Sequence, residues 1–334
     1  MTAKERVKTA VRHQQPDICP WQLGFTQIAH AKMVEYTGDP EFAAKLGNHI
    51  VGIEPLQPDA WREVKPGFWR DQFGVVWNRT IDKDIGNPEG LVFPEPTLGG
   101  YGWPEPDDPA RWQDFGDKVA AASDRFVELA VGFSLFERAW TMRGMPNLLM
   151  DMHDHPAFVD ELLDAITEFN LGLIHRGVTY PVDAVHFGDD WGQQRGTIMG
   201  PKLWRRFIKP RLARMYEAVR AGGKHVSIHS CGDVREVLPD LIEIGLEIFN
   251  PFQPEVMDVS EIKREYGSDL TFHGGVSTQH LLPYATPEQV KIQARWLMEE
   301  IGRDGGYVIA PAHAIPKDVP AENIAALIEA VQGQ

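Results

Sequence analysis

Two residues in the stretch 225–234, HVSIHSCGDV, carry side chains suited to holding a metal ion. His229 and Cys231 stand two positions apart at the end of an apolar run, and residues i and i+2 of a strand project from the same face. An imidazole and a thiolate a few ångströms apart suit zinc, which in a catalytic site takes three protein ligands and keeps a fourth position open. His313, closing another apolar run near the C-terminus, is the expected third ligand and completes a His2Cys set. The spacing alone also fits a Cys packed as a small apolar group beside a hydrogen-bonded His.

Other runs end in polar residues too. GDDWGQQ (188–194) places two carboxylates after an apolar stretch. Neighbouring side chains in an extended segment face opposite ways, so one of the pair is expected to enter the cavity. Asp190 is that choice, as a proton acceptor, an extra ligand or a group that orients a histidine. A cap or turn role for both is the plain alternative. Glu137, beside Arg138, is read at a strand end as a second candidate acid or base. Gln253 and the glycines Gly274 and Gly275 are candidates for cofactor contact, because glycine lets backbone approach a ligand closely. A tight turn explains the glycines nearly as well. Cys19, followed by Pro20, is expected to be structural.

The elements that must position these residues follow a repeating rhythm. Short apolar runs at 18–24, 49–55, 131–140, 184–191, 225–232, 247–253, 270–276 and 307–313 read as strands. Amphipathic patterns at 201–222, 234–245, 259–267 and 286–302 read as helices between the later ones. Strands alternating with helices imply parallel βα units, and eight of them in 334 residues favour an α/β fold of the (β/α)8 TIM-barrel type. In such barrels the site lies at the C-terminal ends of the strands, where the polar residues gather. Residues 61–125 break the rhythm with a hairpin-like, aromatic segment and a Pro- and Gly-rich one. They are read as an insertion after the second strand, within one domain spanning 1–334.

Bulk properties exclude several classes. A net charge of −15 argues against nucleic acid or an anionic membrane surface as partner. The N-terminus carries no apolar signal core, and no run of about 18 apolar residues appears, so a cytoplasmic protein is expected. Two distant cysteines, Cys19 and Cys231, suit a reducing compartment and predict no disulfide.

With these residues placed, the chain resembles the uroporphyrinogen decarboxylase superfamily. The resemblance is densest in HSCGDVREVLPDLIEIGLEIFNPFQPE, GGVSTQHLLPYATPEQV and GGYVIAPAHAIPKDVPAENI. It implies one barrel shared by two chemistries: cofactor-free porphyrinogen decarboxylation, and zinc-dependent methyl transfer with a corrinoid protein. The decarboxylases carry arginine on the first strand and its loop, whereas here no arginine stands between Arg12 and Arg62. The methyltransferase branch uses a His-x-Cys pair, matched by His229 and Cys231, and a later Cys where this sequence has His313. The expectation is therefore a zinc-dependent methyltransferase that acts on a small substrate and a corrinoid held by a partner protein. The harder His2Cys set makes an oxygen-bearing substrate more plausible than a Cys-richer one would, with a thiol still open. A uroporphyrinogen or small-acid decarboxylase and a non-catalytic binding barrel are the alternatives, and pairing into a homodimer is expected of such barrels.

Overall fold

The computed structural model describes residues 1–334. Thirteen strands form in chain order: β1 (Ile50–Ile53), β2 (Trp61–Lys65), β3 (Phe68–Asp71), β4 (Val76–Asn78), β5 (Asn87–Glu89), β6 (Phe126–Val131), β7 (Ala184–Gly188), β8 (Gly192–Gln193), β9 (Gly196–Thr197), β10 (His225–His229), β11 (Ile248–Phe252), β12 (Thr271–Val276) and β13 (Tyr307–Pro311). Seven of them pair in parallel in the order β1-β6-β7-β10-β11-β12-β13. This is an α/β, TIM-like barrel sheet.

The expected first strand at 18–24 is the main departure. Trp21 and Phe25 make only isolated parallel bridges, to Ile309 and Ile315. Pro20 has no N–H to give a ladder, and side chains do part of the joining. On the β13 side, Gln22 N–H donates to Ile309 O at 3.1 Å and Ile309 N–H to Pro20 O at 2.9 Å. On the other side, Trp21 N–H donates to His49 Nδ1 at 3.1 Å, and Leu23 N–H donates to Asn48 Oδ1 at 2.9 Å.

The third strand lies earlier than expected. The run 131–140 contains the end of β6 and then a helix, Phe136–Arg143. Phe136, Ala139 and Met142 recur at helical spacing and are fully buried, a period that outweighs the apolar content of the run. The later helices appear largely where their patterns place them, with a wide π turn in two of them, the second at Leu297–Ile301. The stretch 201–222 forms a helix at Gly200–Leu203, a wide π turn at Trp204–Ile208 and a helix at Lys209–Ala221. Pro210 cannot donate the bond that would continue a regular helix across that turn.

Between β1 and β6, strands β2 to β5 form a separate four-stranded antiparallel sheet. Trp77 of that sheet, with Phe73 and Val75 from the turn before β4, belongs to the same 76-residue apolar cluster as the barrel helices. Asp71 ties the two parts together. It accepts from Phe73 and Val75 N–H and from Trp77 Nε1, and pairs with Arg138 at 2.7 Å.

Side chains alternate along the barrel strands, and the two faces differ in kind. Val127, Leu129, Val185, Phe187, Val226, Ile228, Phe249 and Phe272 join the large cluster under the helices. Ile50, Phe126, Ala184, Ile248 and Val308 instead meet Val7 and Val11 of helix Ala3–Val11 in a small apolar plug. Following that inner face toward the strand C-termini, apolar residues give way to Glu128, His186, Ser227, His229, Asn250, Thr271 and His273. A buried polar interior is costly unless its groups are partnered.

Candidate metal centre

His229 closes β10 and Cys231 follows in the turn, so the strand places the first and the turn after it the second. His229 Nε2 lies 3.3 Å from Cys231 Sγ. His313, just past β13, brings a ring nitrogen near both, and the three ligand atoms lie within 4.8 Å of one another. A tetrahedral zinc with ligands at about 2.0–2.3 Å spaces its ligand atoms by roughly 3.3–3.8 Å. The His229–Cys231 pair already has that spacing, and His313 stands within 4.8 Å of both. The donor set therefore fits zinc.

The surroundings orient the ligands. Asn250, on β11, donates from Nδ2 to His273 O at 2.9 Å, which turns its Oδ1 toward His229 Nδ1 at 2.6 Å. That carbonyl can only accept, so His229 carries its proton on Nδ1 and presents a lone pair at Nε2. Asp190 Oδ1 accepts from Cys231 N–H at 2.7 Å and lies 3.8 Å from His229 Nε2. Gln253 Oε1 accepts from Gly232 N–H at 3.0 Å and fixes the same turn from below.

Asp189 has another task. It is fully buried and accepts from the N–H groups of Leu135, Phe136 and Glu137 and from Trp191 Nε1. It thereby caps helix Phe136–Arg143, whose first N–H groups lack partners within the helix. Glu137 sits in the first turn of that helix, not at a strand end as the sequence suggested. Burial, then the Asp190 and Asp189 carboxylates, push its pKa well above the usual carboxyl range and so favour its protonated form. Asp189 itself is raised to about 6 by burial, against four hydrogen bonds that favour its charge.

The thiol and imidazoles are shifted in the directions that low polarity dictates. Burial, then the Asp190 and Glu137 carboxylates, raise the Cys231 pKa well above the ordinary thiol range. Burial lowers those of His229 and His313, with Asp190 opposing. His313 stands at the solvent-open rim. Neutral imidazoles are the ligand form; the thiol needs a positive charge beside it to ionise.

A cavity of about 230 Å3 opens against these groups, lined by His229, Asn250, His273 and His313 with Gln22 and the turn after β13. Below it lie His186 and Glu128. Ser227 Oγ is 2.7 Å from His186 Nδ1, and Glu128 is 3.8 Å from the same nitrogen. Burial raises Glu128 to about 7 and lowers His186 to about 4.

Residues 132–334 match the family described as uroporphyrinogen decarboxylase (URO-D). The chain belongs to the URO-D family. Its relatives divide between two activities. A uroporphyrinogen decarboxylase of Coxiella burnetii is 25% identical over 184 residues, covering 54% of this chain and 49% of that protein. A methylcobamide:CoM methyltransferase of Methanosarcina barkeri is 26% identical over 172 residues, covering 51% of this chain and 48% of that protein. The matched region thus spans about half the length of these curated relatives. A methyltransferase from Methanosarcina mazei shares the fold with a TM-score of 0.72 over 100% of this chain and 99% of its own, at 19% identity.

Within this URO-D chain the two glycines read as candidates for cofactor contact stand where neighbouring groups pack closely. Gly274 has φ 141°, and a Cβ there would meet Phe252 N at 2.5 Å, where β11 and β12 draw together. A Cβ on Gly275 would meet the Tyr307 hydroxyl at 2.5 Å. Gln253 faces the Gly232 turn, as described above. Cys19 is buried and donates weakly to Pro20 O, remote from the centre, and both cysteines are free. Asn250, Glu128 and His186 were missed in the sequence. The available signal was polar residues at alternate positions inside apolar runs, as in IFNPF and AVHFG.

Proposed function

We propose that the chain is a zinc-dependent methyltransferase, moving a methyl group between a small substrate and a corrinoid carried by a partner protein. The observation that carries this reading is the His229–Cys231–His313 cluster, with one imidazole held by Asn250, facing a cavity. Zinc held there would supply positive charge that favours the ionised form of a substrate hydroxyl or thiol. The chain's own residues do the rest. Asn250 fixes the tautomer of His229, and Asp190 stands ready to take a proton or to hold the Cys231 turn. Glu137, whose burial favours its protonated form, stands beside Asp190 and can hold or pass a proton there. The methyltransferase relatives named above support the reaction class.

Porphyrinogen decarboxylation is the second reading, favoured by the decarboxylase relatives. The cavity speaks against it. Its ten lining residues include no Lys or Arg, and a polycarboxylate would lose its hydration there without gaining a cation.

The test is metal analysis of purified protein together with two assays: demethylation of methylcobalamin with small thiols and alcohols, and conversion of uroporphyrinogen. About one zinc per chain with methyl transfer is the expected result. Coproporphyrinogen formation without bound metal would overturn it.

A further inference from the structure

One group in the cavity is used neither by the metal centre nor by the fold. His273 is 2% exposed, lines the cavity beside His229 and His313, and has no hydrogen-bond partner at either ring nitrogen. Its backbone carbonyl accepts from Asn250, but its imidazole stands idle. Buried polar atoms are nearly always partnered, and one left alone inside a cavity marks where a partner arrives. A neutral imidazole offers one donor and one acceptor, which matches a hydroxyl or an amine.

The charges around the cavity narrow the choice. Gln22 and Asn250 supply neutral amides, and no cationic side chain lines the space. The ionisable groups nearest the ligand cluster, apart from imidazoles, are carboxyls. Asp190 lies 3.8 Å from His229 Nε2, and Glu137 acts with it on Cys231. Glu128 waits deeper in the barrel, with Oε1 unpartnered. An anion brought here would lose its water with no cationic side chain to meet it. The volume of about 230 Å3, set against roughly 30 Å3 per water molecule in the liquid, admits a substrate of about seven or eight heavy atoms.

We propose that His273 is a substrate-anchoring subsite of the metal centre, selecting small substrates whose second polar group is neutral or cationic and rejecting those that carry an anion. This rests on the metal-centre reading above. The substrate class is a short alcohol or thiol bearing a hydroxyl or amino group a few bonds away.

Four two-carbon thiols separate the idea from its rivals: ethanethiol, 2-mercaptoethanol, 2-aminoethanethiol and 2-mercaptoethanesulfonate. Zinc uptake by the full chain is measured first, and each probe is then titrated calorimetrically into zinc-loaded protein. The hydroxyl and amino probes should bind about 10-fold tighter than ethanethiol, and the sulfonate at least about 10-fold weaker than 2-mercaptoethanol. His273→Phe should bring 2-mercaptoethanol down to the level of ethanethiol while the zinc affinity stays within about 2-fold. His273→Gln, which keeps hydrogen-bonding capacity, should retain part of the preference and decides the matter where the Phe variant does not fold. Failure to take up zinc would sink the metal reading and this inference together. Zinc uptake with equal binding of all four thiols, or with tightest binding of the sulfonate, would sink the inference alone. An unchanged preference in His273→Phe would do the same and would leave an ordered water as the imidazole's partner.

Discussion

Asn250 Oδ1 lies 2.6 Å from His229 Nδ1 while Asn250 Nδ2 donates to His273 O at 2.9 Å. One amide, locked by the backbone of β12, thus sets which nitrogen of His229 is free. Removing such an outer partner typically lowers metal affinity about 10- to 100-fold. Asn250→Leu should weaken zinc binding by that factor in a chelator competition, and Asn250→Asp, which keeps an acceptor, should lose less. Equal zinc affinity in wild type and Asn250→Leu would remove the orienting role.

Cys231→Ser should strip zinc from the protein with little loss of fold. The thiol sits in the turn after β10 and makes a side-chain contact only with His229 and Asp190 in the site itself. Metal analysis reads the first outcome and thermal unfolding the second.

The adjacent carboxylates should respond differently to the same change. Asp189→Asn removes charge from a group that accepts four N–H bonds at the start of a helix. It should cost about 1–3 kcal/mol of stability. Asp190→Asn keeps an acceptor for Cys231 N–H but removes the negative charge beside His229, and should lower zinc affinity or activity about 10- to 100-fold. Denaturant titration and metal competition on the two variants separate the roles. Matching losses in both would count against the division.

Glu128 predicts a pH effect on stability. Burial raises its pKa from 4.5 to about 7, with Asp183 adding to the shift and Ser227 opposing it. A raised carboxyl favours the folded state while it is neutral, and that advantage is lost as pH climbs through the folded pKa. Between pH 5 and 8 wild type should therefore lose stability that Glu128→Gln does not. The gap between the two should widen by on the order of 3 kcal/mol. Parallel urea midpoints at the two pH values give the answer; a constant gap would mean that Glu128 ionises freely.

What the sequence determined by itself was local. Alternation within HVSIH aimed His229 at the interior, because a period of two is built into the backbone, and the short step to Cys231 kept the pair close. The βα rhythm indicated a parallel sheet, because parallel strands need a crossover between them. The pattern FERAWTMRG misled only where apolar content was weighed above helical period, which moved Glu137 from a strand end to a helix start.

Only the tertiary structure decided the rest. Whether His313 meets His229 across 84 residues depends on β13 and β10 curving about one interior, which no spacing in the chain encodes. The close packing at Gly274, where a Cβ would stand 2.5 Å from Phe252 N, likewise belongs to the tertiary structure. The same holds for Asn250 and His273: each is one polar residue in an apolar run, and only packing showed the first to be bonded twice and the second to have an idle ring. Sequence fixes what a side chain can do, while its partners are set by residues distant in the chain that folding brings within hydrogen-bond reach.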